Sequence, residues 1–157
     1  MVLDVTARGK SGHAARNEGE NAIYKLLPDI EWFRTYKFPK ESPILGPVKM
    51  SVTQINAGTQ HNVIPDLCSI VVDIRSNECY SNEELFAEIC QHIQSEAKAR
   101  SFRLNSSSIP SDHPFVKRAI ELGKVPFGSP TLSDQALMPF PSCKNGTGKI
   151  FPFAHSR

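Results

Sequence analysis

The sequence predicts an α+β fold in which a four-stranded antiparallel sheet carries two helices on one face, and three observations point to it. Period-two alternation or β-branched runs occur at residues 2–7, 48–56 and 67–75, with a shorter candidate at 101–104. Apolar residues at helical spacing follow the first and third of these strands. Ser81-Asn82-Glu83-Glu84 forms a capping box that starts the second helix. The order strand, helix, strand, strand, helix, strand then covers residues 2 to about 105, which is the split β-α-β arrangement of ferredoxin-like domains.

The first strand places Leu3, Val5 and Ala7 on one face. It begins directly after Met1, which suggests a chain cut from a longer one. Arg8-Gly9-Lys10-Ser11-Gly12-His13 follows, and its two glycines predict a tight or left-handed backbone that presents His13 at the mouth of the strand. Its Gly-Lys-Ser is not a phosphate loop, because Asp4 stands where that motif needs a glycine. A helix capped by Asn17 is expected to bury Ile23, Leu26, Leu27, Ile30 and Phe33, with a kink or restart at Asp29 forced by Pro28. Residues 37–47 read as a loop.

Val48, Met50 and Val52 give the second strand a half-buried pattern, and the polar stretch Gly58-Thr59-Gln60-His61-Asn62-Val63-Ile64-Pro65-Asp66 joins it to the third, Leu67 to Arg75. A loop carried on two rigid strands is a favourable place for ligand contacts, and His61 and Asn62 can each donate and accept hydrogen bonds there. Leu85, Phe86, Ile89, Ile93 and Ala97 form the apolar face of the second helix, and Ser101-Phe102-Arg103-Leu104 the last strand. Beyond the Ser-rich link at 105–111, Asp112 caps a helix with Val116, Ala119 and Ile120 inward and Gly123 at its end. The proline-rich remainder has too little predicted regular structure for a domain. The division is therefore residues 1–107 as the ferredoxin-like domain and 108–157 as a partial second segment with an atypical tail from about 149.

Composition excludes several classes. With 18 basic and 16 acidic residues the formal charge is +2, and no basic stripe marks a nucleic-acid surface. An RNA-binding module of this fold stacks bases on aromatic strand residues, and residues 48–56 and 67–75 hold none. No apolar run suits a membrane span and no secretory leader is visible, which reads as cytoplasmic. Cys68, Cys79, Cys90 and Cys143 lack zinc-finger spacing and are expected as reduced thiols.

Gly9-Lys10-Ser11-Gly12-His13-Ala14-Ala15, then Gly58 to Asp66 with Asp73-Ile74-Arg75, then Ser133-Asp134 leading to Lys144-Asn145-Gly146-Thr147-Gly148, resemble the co-catalytic zinc aminoacylases and peptidases. The similarity runs from residue 2 to about 148 and is greatest to the acetylornithine deacetylase and succinyl-diaminopimelate desuccinylase branch. It implies a ferredoxin-like dimerisation domain inserted into a catalytic domain. There, two zinc ions activate a water that attacks an N-acyl amide. It implies that His13 enters the other subunit's active site as an oxyanion stabiliser, and that Asn62 and Arg75 hold the substrate carboxylate. A homodimer through this domain and a small N-acyl amino acid substrate are the partners it implies, with no nucleic acid and no membrane.

The half expected to carry the zinc ligands is absent, so no metal ligand is assigned in this chain and His155 is not taken as one. The expectation is a fragment of a zinc-dependent amidohydrolase, acetylornithine deacetylase of arginine biosynthesis first, inactive by itself. The alternative is a stand-alone dimerisation or protein-interaction module. Read without the resemblance, His13 fits a solvated loop histidine, Asn62 satisfies loop backbone, and Arg75 forms a sheet-face ion pair with Asp73.

Overall fold

The structure, a computed structural model, describes residues 1–16, 18–129, 134–138, 140–145 and 149–155. In chain order the elements are β1 (Val2–Arg8), β2 (Gly12–His13), α1 (Ala22–Thr35), β3 (Lys49–Ala57), β4 (Val63–Ile64), β5 (Leu67–Arg75), α2 (Asn82–His92), β6 (Glu96–Ala99), α3 (Pro114–Glu121), β7 (Val125–Ser129), a 3-10 turn (Asp134–Leu137), β8 (Lys144–Asn145) and β9 (Lys149–His155). None of the helices among the described residues is long and apolar enough to cross a membrane.

Alternation explains the central sheet. Leu3, Val5 and Ala7 of β1 and Cys68, Ile70, Val72 and Ile74 of β5 all point to one face, where they are buried. The two strands pair antiparallel with Leu3 opposite Val72 and Val5 opposite Ile70, so their apolar residues stack across the ladder. β3 joins the far side of β5 and β6 the far side of β1, both antiparallel, giving the order β3-β5-β1-β6. Leu26 and Phe33 of α1 and Leu85 and Ile89 of α2 close the same core from one side. Each such side chain contributes about 1.5–3 kcal/mol by leaving water.

Several boundaries differ from the sequence expectation. α1 starts at Ala22, capped by the Asn21 side chain accepting from the Ile23 N–H at 2.9 Å, and not at Asn17, which lies outside the described residues. The reason is a backbone bridge in which Lys10 and Glu20 exchange both hydrogen bonds at 2.9 and 2.8 Å, holding the expected first turn extended. Pro28 does not break the helix: one element runs from Ala22 to Thr35, with Leu26, Asp29 and Phe33 buried around the proline. Packing of that face outweighs the hydrogen bond the proline cannot donate.

The second helix starts at the predicted capping box, with Ser81 Oγ accepting from the Glu84 N–H at 3.1 Å and the Ser81 N–H donating to the Glu84 carboxylate at 2.8 Å. It ends at His92, well short of Ala97, and the last strand is 96–99 rather than 101–104. The Asp29 carboxylate accepts from the Gln94 and Ser95 N–H groups, both at 3.0 Å, and turns the chain back onto β1. In α3 the cap is His113 rather than Asp112, and Ile120 is exposed while Val116 and Ala119 are buried. Gly123 ends that helix at φ +77°, as predicted. The remainder holds more regular structure than expected, because β7, β9 and β8 form a sheet in that order, β7 and β9 parallel.

Candidate functional site

At one end of β5 and β1 the two glycine-bearing stretches meet. β2 pairs antiparallel with β4, Gly12 opposite Ile64 and His13 opposite Val63. The Ala14 N–H donates to the Asn62 carbonyl at 2.9 Å, the Gly9 N–H to the Asp66 carbonyl at 2.8 Å, and the Ala22 N–H to the Pro65 carbonyl at 2.9 Å. These bonds staple the 9–22 loop along the 62–66 segment. His13 and Asn62 therefore stand on neighbouring backbones.

Of the tight or left-handed conformations expected at Gly9 and Gly12, the fold uses the tight one. Neither has positive φ; each is needed because the loop doubles back on itself. A Cβ at Gly9 would sit 2.0 Å from the Glu20 carbonyl oxygen, and one at Gly12 would sit 2.4 Å from that of Glu18. The positive-φ glycines at this end are Gly19, at φ +93° inside the 9–22 loop, and Gly58, at φ +71°, where the chain leaves β3.

The His13 ring is exposed, and its Nδ1 accepts from the Ala15 N–H at 3.2 Å. Asn62 is half-buried, and its side-chain amide has no protein partner among the described residues. A cleft of about 380 Å³ next to β4 is lined by Ser11, Asn56, Thr59, Asp66 and Ser69, with neither His13 nor Asn62 in its lining. Sequence reasoning missed Ser11, Thr59 and Asp66 as lining residues, although all three lie inside the two stretches it had singled out. The pairing of β2 with β4 that brings them together joins residues far apart in sequence.

Arg75 is not brought to this end. It pairs with Lys49 at one end of β5, while Leu67 at the other end pairs with Arg8 beside the His13 loop. The length of β5 separates the two ends by about 27 Å at the usual rise per residue. The Arg75 Nε donates to the Asp73 carboxylate at 2.7 Å on the sheet face opposite the core, with both side chains partly exposed. That ion pair was the simpler expectation for Arg75.

Among the described residues no three His, Cys, Asp or Glu side chains are grouped to hold a metal ion. All four cysteines are free thiols, and burial pushes the Cys68 thiol up, away from the reactive thiolate. Ser133 and Gly146-Thr147-Gly148 lie outside the described residues.

Residues 1–101 match the family described as the peptidase dimerisation domain. Among curated proteins, a succinyl-diaminopimelate desuccinylase of Cereibacter sphaeroides is 28% identical over 149 residues, covering 94% of this chain and 39% of that protein. A second, from a Psychrobacter species, is 28% identical over 114 residues, covering 71% of this chain and 28% of its own length. The chain thus spans well under half the length of these relatives. Among solved structures, aminopeptidase PepT from Bacillus cereus superposes with a TM-score of 0.64 at 17% identity, over 97% of this chain and 42% of that one. At that identity the likeness concerns the fold.

Proposed function

Because the chain belongs to the peptidase dimerisation domain family, we propose that it supplies the self-association surface and three substrate-contacting side chains, His13, Asn62 and Arg75, of a hydrolase that cleaves N-acyl amino acids. The four-stranded antiparallel sheet in the order β3-β5-β1-β6, with α1 and α2 on one face, is taken as the split β-α-β arrangement of ferredoxin-like domains. The observation that carries the functional reading is the staple between β2 and β4, which holds an exposed His13 next to Asn62 at one end of the sheet.

A histidine in that position can donate a hydrogen bond to the oxygen of a tetrahedral intermediate, a contribution of about 3–4 kcal/mol when such a donor is preorganised. Asn62 offers an amide donor and an acceptor for the same substrate. Arg75 suits a carboxylate, for which a planar guanidinium makes paired hydrogen bonds.

A two-fold dimer accounts for the separation of Arg75 from His13. β3 is an edge strand, Lys49 lies opposite Arg75, and Ala57 leads into the Gly58–Asp66 loop. Antiparallel pairing of two β3 edges would set the Lys49 end of one copy beside the Ala57 end of the other. Arg75 of one copy would then approach His13 and Asn62 of its partner, so that each site draws on two chains.

Zinc belongs to the proposal as the cofactor of the full-length enzyme, and the chain by itself is expected to be inactive. Acetylornithine deacetylase is the leading activity, and the curated relatives make succinyl-diaminopimelate the other substrate to assay.

The test is hydrolysis of both substrates by an enzyme extended to the length of those relatives. His13→Ala should lower kcat about 100-fold or more with the fold unchanged, the scale of a lost oxyanion donor. Unchanged turnover removes His13 from the reaction. No hydrolysis of either substrate by the extended enzyme favours the stand-alone dimerisation module.

A further inference from the structure

We infer that the backbone N–H of Ala15 sets the tautomer of His13, holding the neutral ring with its proton on Nε2, and that Ala15 is thereby a positioning residue for the histidine's donor role. The inference rests on the reading of His13 as a donor to a carbonyl oxygen gaining negative charge. The Ala15 N–H lies 3.2 Å from His13 Nδ1 and can only donate, so Nδ1 must present its lone pair. A neutral imidazole that accepts at Nδ1 carries its proton on Nε2, because the hydrogen bond made by one ring nitrogen decides the state of the other. Nε2–H is then free to act as the donor that oxyanion stabilisation needs.

The loop holds this donor in place. On one side the Ala14 N–H is bonded to the Asn62 carbonyl, and on the other the Arg16 N–H is bonded to the His13 carbonyl, both at 2.9 Å. Residue 15 is therefore fixed between two backbone hydrogen bonds and presents its own N–H to the ring. His92 provides a contrast within the same chain: its Nδ1 lies 2.9 Å from the Glu88 carbonyl, which only accepts, so that ring carries its proton on Nδ1.

The experiment is NMR of the chain with nitrogen-15-labelled histidine, at a pH where the rings are neutral, with His13 assigned through His13→Gln. Ring-nitrogen shifts report the ratio of Nε2–H to Nδ1–H. For His13 that ratio should be roughly fivefold higher in the folded chain than in the same chain unfolded in urea, the value of one net hydrogen bond. His92 should move the opposite way. Equal His13 ratios in the folded and unfolded chain overturn the inference.

Ala15→Pro removes the donor and should return His13 to its unfolded ratio while the His92 signal is kept; a ratio unchanged by that substitution also overturns it. If Ala15→Pro disturbs the fold, the comparison of folded and unfolded wild-type chain decides alone. A biased His13 tautomer together with unchanged turnover in the extended His13→Ala enzyme sinks the catalytic reading and leaves the tautomer standing. An unbiased tautomer with lost turnover does the reverse.

Discussion

The Tyr36 hydroxyl donates to the Glu88 carboxylate at 2.7 Å, tying the end of α1 to α2, while its ring stacks on Trp32 with centroids 4.5 Å apart. The hydrogen bond to Glu88, then burial, push its pKa from near 10 up to about 12. The phenol must keep its proton to donate, so its folded pKa lies above its unfolded one. The stabilisation is fully present below the unfolded value near 10 and is lost as pH rises through about 12. Unfolding free energy should therefore fall more steeply between those pH values in the wild-type chain than in Tyr36→Phe. The variant should already be about 1 kcal/mol less stable at neutral pH. Urea titrations at a series of pH values check this, and parallel curves for the two proteins would show that the Glu88 contact contributes nothing.

Asp29 does for the elements what Tyr36 does for the helix ends. It sits in the middle of α1, only 2% exposed, and its carboxylate takes the two N–H groups at which the chain turns from α2 into β6. Asp29→Ala leaves two part-buried N–H groups without their acceptor and should cost about 1–3 kcal/mol, with Asp29→Asn in between. A loss below about 0.5 kcal/mol in urea unfolding would place it among ordinary surface changes and refute the turn's dependence on it. The same contact explains what the sequence could and could not disclose. β1, β5 and the capping box at Ser81 were legible because their signals are local, an alternation or a four-residue pattern. β6 was not, since Glu-Ala-Lys-Ala favours helix. Its strand state comes from pairing Leu3 with Ala99 and from a carboxylate more than sixty residues away. His13 and Asn62 were legible as candidates, yet their pairing through β2 and β4 is long-range and was not. The Asp73–Arg75 pair was legible because residues two apart share a strand face.

β3 behaves differently from the other long strands, and the difference bears on the assembly. The pattern of Val48, Met50 and Val52 predicted half-burial, which Val48, buried, and Met50, half-buried, follow, whereas β3 is exposed from Ser51 on, with Val52 36% and Ile55 55% exposed. The register puts Val52 opposite Val72 and Ile55 opposite Ile70, so both belong to the face that is core elsewhere in the sheet. A groove lined by Ile30, Phe33, Arg34 and Met50 separates β3 from α1, and on α1 Leu27 is 51% and Tyr24 70% exposed. An edge strand with free backbone groups and apolar side chains beside an apolar helix flank invites a second copy of the same surface. If this face mediates self-association, a charge at its centre must be desolvated in the dimer and is harmless in the monomer. Val52→Lys combined with Ile55→Lys should therefore move the chain toward monomer, raising the dimer dissociation constant at least about 100-fold, since burying two uncompensated charges costs several kcal/mol. Monomer stability should change by no more than about 0.5 kcal/mol per exposed site. Sedimentation velocity over a concentration series measures the first quantity and urea unfolding at low concentration the second. An unchanged dissociation constant would move the interface away from β3, and with it the approach of Arg75 in one copy to His13 in the other.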